Sequence, residues 1–162
     1  MLVRLFALIF STLYCATVSA HGKEMPSTPS AADQATWEGA VFRIEDAKSR
    51  VSIASVKLSV GDLKPENGIL VGEYKIEVPL KQSKNDQGKI VLPLNFSMEE
   101  LESKGGVLRG KAISNKEGKK QNLIVCEIIP GKDQKILLDI TTDDRTITFK
   151  SNYSIVETAE DG

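Results

Sequence analysis

A chain with a single histidine has few routes to acid–base or metal chemistry. His21 is that residue, so no Ser–His or Cys–His arrangement can be assembled without it, and no multi-histidine zinc site at all. If cleavage follows Ala20, His21 becomes the N-terminus, and its amine and imidazole would hold Cu(II) only weakly without a further histidine. Cys126 lies within Ile124-Val125-Cys126-Glu127-Ile128, an apolar setting that predicts a buried, inert thiol. Carboxylates are plentiful but unmarked. Glu73 and Glu77 flank Lys75 on one strand face, which predicts a solvated charge ladder in preference to a catalytic pair. Asp143-Asp144, beside Asp133 or Asp139, could offer oxygens to Ca²⁺, yet the spacing lacks the glycine and terminal glutamate of a twelve-residue calcium loop. Asp at a hairpin tip serves turn geometry instead.

Phosphate and polyanion chemistry fare no better. Gly105-Gly106 and Gly110 precede a strand pattern, whereas a phosphate-binding loop must open a helix. Lys116, Lys119 and Lys120 cluster at one turn with Glu117 among them, without aromatic interleaving, so a solvated turn is expected and nucleic acid is not. Two sequons, Asn95-Phe96-Ser97 and Asn152-Tyr153-Ser154, place Asn outward and the aromatic inward on a strand, as glycosylation requires. No catalytic, metal-binding or cofactor-binding residue is assigned.

A site must therefore come from the elements, and these have period two. Tyr74, Ile76, Val78 and Leu80 alternate with mostly polar neighbours; so, less cleanly around Val91, Pro93 and Leu137, do Ile90, Leu92, Leu94 and Phe96; Ile136, Leu138 and Ile140; and Ile147, Phe149, Tyr153 and Ile155. Half-buried antiparallel strands require this alternation. Eight strands are predicted, near 36–45, 50–60, 68–80, 88–97, 106–114, 121–130, 134–141 and 145–156. The separators carry turn chemistry, as in Asp46-Ala47-Lys48-Ser49, Lys64-Pro65-Glu66-Asn67-Gly68 and Asn85-Asp86-Gln87-Gly88. In 51–60 the apolar phase slips, and a β-bulge near Ala54-Ser55 would correct it. One short helical turn is expected over 98–103, because Ser97 and Glu100 have capping-box spacing.

Such a meander must cover its apolar face and its edges. An up-and-down β-barrel does both, and a two-sheet β-sandwich is the alternative. Trp37-Glu38-Gly39, Leu70-Val71-Gly72 and Leu108-Arg109-Gly110 each put glycine two residues after a large apolar residue, where a coiling strand would use it. On the inward faces Gly72, Gly110 and Ala112 are small, while Tyr74, Phe96, Phe149 and Tyr153 are large. These seven are the expected lumen-lining residues. Small residues there leave room for one apolar ligand; large neighbours could equally fill the space. The architecture resembles the calycin-type barrels (lipocalins and avidins) and YceI-like periplasmic barrels. No family motif accompanies it: Trp37-Glu38-Gly39 reverses the lipocalin glycine–x–tryptophan order. The resemblance implies a fold and no activity.

The first twenty residues carry the signature of a secretory leader: Arg4, an apolar run from Leu5 to Leu13, and Val18-Ser19-Ala20 before the cleavage point. That run is too short to span a bilayer, which takes about 20 apolar residues, and Tyr14 before Cys15 breaks a lipobox. Residues 21–35 read as a flexible lead-in, 36–156 as one β domain and 157–162 as an acidic tail. Losing the leader removes Arg4 alone from 21 basic residues and none of the 22 acidic ones, so the exported chain stays near neutral and has no general field for nucleic acid or anionic membrane. Cys126 is then the lone cysteine and no internal disulfide can form. The function expected is that of a secreted or periplasmic, non-enzymatic protein binding a small apolar ligand or an envelope partner. A structural or inhibitory role, or a carboxylate-dependent hydrolase, is the alternative.

Overall fold

The computed structural model describes residues 37–118, 121–142 and 145–157. The leader, the lead-in and all of the tail but Glu157, and with them His21, lie outside the described residues, as do Lys119, Lys120, Asp143 and Asp144. The described residues form one antiparallel sheet of ten strands: β1 (Ala40–Ile44), β2 (Ala47–Val51), β3 (Ala54–Val60), β4 (Lys64–Glu66), β5 (Ile69–Glu77), β6 (Asp86–Pro93), β7 (Gly106–Ser114), β8 (Asn122–Ile129), β9 (Lys135–Thr141) and β10 (Thr146–Glu157). From β5 to β10 each strand pairs antiparallel with the next; apart from 94–105, the intervening segments are too short for a parallel crossover. One helix among the described residues, α1 (Met98–Lys104), interrupts the meander; the Ser97 hydroxyl caps it by accepting the Glu100 N–H at 3.2 Å.

The sheet curls into a barrel-like form through its first strands. β1 pairs along β10, matching Ala40 with Glu157 and Ile44 with Tyr153. β2 pairs with β3, matching Ala47 with Leu58 and Val51 with Ala54. Phe42 and Leu63 continue that second register, exchanging two backbone hydrogen bonds of 2.9 Å. Residues 40–51 thus act as one strand broken at Glu45-Asp46, shared between the last strand and the second pass of the chain. Arg43 and Asp62 brace this seam on the outside with contacts of 3.0 and 3.2 Å.

Four expected boundaries move. The segment 46–49 is no turn: Ala47 is buried opposite Leu58, and β2 runs through it. The reversal falls at Ser52-Ile53, where Ser52 takes φ 56°, so the phase slip marks a two-residue hairpin and not a bulge at Ala54-Ser55. Asp86-Gln87-Gly88 likewise belongs to β6, and the preceding turn is a short 3₁₀ segment, Gln82–Lys84. In the Lys64–Gly68 stretch only Asn67-Gly68 turns, with φ 50° and 80° as a type I′ hairpin demands; Lys64–Glu66 is strand β4 on β5. Trp37-Glu38-Gly39 is a turn ahead of β1 and not part of a strand.

Antiparallel strands reverse at alternate ends, so the two ends of the barrel differ. One end gathers the reversals at 67–68, 94–105 and 130–134 together with Trp37. It is plugged. Trp37 is fully buried and its indole N–H donates to the Phe96 carbonyl at 2.9 Å. Its ring lies 6.5 Å from that of Phe42, which stacks on Tyr153 at 5.2 Å. Leu101 of α1 is buried in the same cluster. The other end gathers the reversals at 52–53, 78–85, 115–121 and 142–145, and among the described residues none plugs it.

Candidate functional site

The unplugged end opens into a cup of about 490 Å³, within the range of small-molecule sites. Val51, Ala54, Val56, Ile76, Val78 and Ile147 form its apolar wall; Lys81, Lys84, Asn122, Thr142 and Arg145 stand around its polar side. Each wall residue is near a strand end. Val51 and Ala54 close the β2–β3 hairpin, Ile76 is at the end of β5 with Val78 just past it, and Ile147 is near the start of β10. Inward side chains at these positions have neighbours on one side along the barrel axis and space on the other.

Asp86 is the only buried charged residue among those described, and it also borders the cup. The Ser114 hydroxyl donates to its Oδ1 at 2.6 Å and the Tyr74 hydroxyl to its Oδ2 at 3.2 Å. Burial, then the neighbouring Asp86 charge, raises the Tyr74 pKa far above the ordinary phenol value, so Tyr74 stays a protonated donor. A carboxylate held this way anchors the β5–β6–β7 corner and gives the cup one polar point.

The seven expected lumen residues do not border this cup. Tyr74, Ala112, Phe149 and Tyr153 are buried. Phe96 is half-buried at the plugged end, where a Cβ on Gly106 would come within 3.0 Å of its ring. Gly72 is covered by Leu63, whose Cδ2 would lie 2.5 Å from an added Cβ. Gly110 is crossed by the Val91 carbonyl, 2.0 Å from where its Cβ would be. Small residues here mark close packing, and the open space lies elsewhere. Alternation does place Ile76, Val78 and Ile147 inward; which inward residues lack a neighbour overhead depends on where each strand stops.

The remaining candidates stand apart. Lys75 and Glu77 form an exposed ion pair at 2.8 Å, which holds the Glu77 carboxyl below its usual range. Asp139 accepts a 2.6 Å hydrogen bond from Thr148, and Asp133 pairs with Lys135 at 3.0 Å at the plugged end, opposite the 142–145 reversal. Among the described residues no group of three or more His, Cys, Asp or Glu is placed to hold a metal. Asn152 is exposed and donates to Glu45 at 3.1 Å.

Cys126 is buried. Burial, with a smaller contribution from the Asp139 charge, raises its pKa from 9.0 to about 12. At pH 8 the folded thiol should carry on the order of a thousand-fold less thiolate than an ordinary cysteine. Alkylation of native protein is therefore expected to be slow and to become fast in denaturant, as mass spectrometry of iodoacetamide-treated samples would show. The pH dependence has a fixed sign. A folded pKa above the unfolded one contributes stability below pH 9 that disappears as pH climbs toward 12, and Cys126→Ala should remove that part of the alkaline loss. Rapid labelling of the folded protein would contradict this burial. Comparison with known proteins gives no match to this chain, whether among family models, curated proteins or solved structures.

Proposed function

We propose that this protein is an exported, non-enzymatic binding protein, secreted or periplasmic, that holds one small amphipathic molecule in the cup. The observation that carries the reading is the contrast between the two ends: a barrel plugged by Trp37 at one mouth and holding an apolar-walled space of about 490 Å³ at the other. Apolar surface open to water is costly at roughly 25 cal/mol per Å², and a ligand's apolar portion would cover it. Lys81, Lys84 and Arg145 favour an anionic head on that ligand. None of the three forms an ion pair with a described residue.

Native mass spectrometry of protein purified under mild conditions, followed by solvent extraction, tests this directly. A bound species of discrete mass, carrying an acidic group, is expected. Ala54→Trp, which sets a large ring at the cup wall beside the exposed hairpin tip, should lower its occupancy about tenfold or more while the melting temperature moves only a few degrees. A native protein that yields no bound species and takes up no added long-chain carboxylate would remove the reading.

A further inference from the structure

The whole chain is close to neutral, with net charge −1, but the fold separates the signs. At the plugged end the segments outside the strands carry Glu38, Glu99, Glu100, Glu102 and Asp133 against Lys104 and Lys132. At the open end they carry Lys81, Lys84, Lys116 and Arg145 against Glu117. In the sequence, the charges of Lys119 and Lys120 are matched in number by those of Asp143 and Asp144. Counting the described segments outside the strands, the open end is thus the positive pole, with Asp86 the one described carboxylate that borders the cup.

The same end exposes apolar side chains out of proportion to the rest of the surface. Ile53 is 89% exposed and Leu80 is 79% exposed, whereas no other large hydrophobic residue described exceeds the 49% of Leu123. Their positions are linked by register. β3 pairs with β5 from Val60 opposite Tyr74 to Lys57 opposite Glu77, and continuing that register carries both chains to one end of adjacent strands, where Ile53 and Leu80 are found. Ile53 forms the hairpin tip between two cup residues, Val51 and Ala54; Leu80 stands between two more, Val78 and Lys81. Single exposed apolar residues are commonplace. Two at the rim of an apolar cup, on the cationic pole, are a different arrangement.

We propose that the open end is a docking surface for anionic lipid bilayers. Ile53 and Leu80 enter the headgroup–acyl boundary, and Lys81, Lys84 and Arg145 meet lipid phosphates, a combination of apolar insertion and cationic attraction that gives reversible interfacial binding. Docked this way the cup faces the bilayer, so an amphipathic molecule passes between lipid and protein without crossing water. The docking itself does not depend on the cup being occupied, so it can fail while the binding reading stands.

Co-sedimentation tests it, using protein purified after expression of the full chain, with its N-terminus determined by mass spectrometry. The probes are vesicles of phosphatidylcholine alone and of phosphatidylcholine with an equal share of phosphatidylglycerol. The native protein should pellet with the mixed vesicles and stay in solution with the neutral ones. Ile53→Ser with Leu80→Ser should weaken binding at least roughly tenfold, and Lys81→Gln with Lys84→Gln and Arg145→Gln should do the same and flatten its salt dependence. These side chains are exposed, and circular dichroism checks that both variants fold. Native protein that ignores anionic vesicles, or binding that survives both sets of changes, overturns the proposal; an apolar tip that instead captured a protein partner would give the first of these results.

Discussion

Trp37→Ala should cost about 3–5 kcal/mol of folding stability, the range for removing a large aromatic from a packed core. A domain of this size has only some 5–15 kcal/mol in total, so the melting temperature should fall on the order of 10–20 °C. Two losses combine. The indole is fully buried against Phe42 at the plugged end, and its N–H is bonded to the Phe96 carbonyl just ahead of α1. Truncation opens a cavity and leaves that carbonyl short of a donor. Trp37→Phe separates the two, keeping most of the packing and losing the hydrogen bond, and should cost about 1–2 kcal/mol. Trp37 is the only tryptophan, so urea titrations followed by far-ultraviolet circular dichroism provide the comparison. If alanine were tolerated to within a kilocalorie, the plug would have no structural standing.

Gly110→Ala should be nearly as damaging, for a different reason. Pairing of β6 with β7 spans only Gly88–Val91 against Lys111–Ser114. Just beyond it the Val91 carbonyl crosses Gly110, with oxygen 2.0 Å and carbon 2.9 Å from an added Cβ. A flexible side chain could swing aside, but here the obstacle is backbone already committed to a strand. Overpacking typically costs about 1–3 kcal/mol, and this contact belongs at or beyond the top of that range. Gly61 is the control. An alanine there meets nothing nearer than 3.6 Å, and its replacement should change stability by under about 1 kcal/mol. Equal melting curves for the two variants would mean that the strands do not coil at this point.

Much of this architecture is legible before any coordinates. Alternation of Tyr74, Ile76 and Val78, or of Ile136, Leu138 and Ile140, identifies strands because only the inward residues gain by burial. Ser97 with Glu100 identifies the start of α1 because a hydroxyl must satisfy an N–H that the helix cannot. Legibility ends where a residue has two uses. Asp46 to Ser49 has turn-forming composition, yet Ala47 gains more by packing opposite Leu58 than the chain would gain by reversing. Asp86 looks like a turn residue and is instead a buried acceptor for Tyr74 and Ser114. The cup was the least visible feature. Gly72 and Gly110 suggest space when considered as volumes along a strand, whereas their room is taken by Leu63 and by the Val91 carbonyl, both distant in sequence.

The shared strand at residues 40–51 also ties together the two extremes of the domain. Ser151 donates to the Glu45 carbonyl at 2.6 Å across 106 positions, and β10 supplies the whole outer partner of β1. A chain emerging from the ribosome or through a translocation pore in N-to-C order can make every internal hairpin and still leave β1 and β9 with bare edges. Closure waits for the twelve residues of β10. Until they arrive the intermediate presents two unpaired strands to its neighbours, so nascent or C-terminally clipped chains are the population that must be chaperoned or removed.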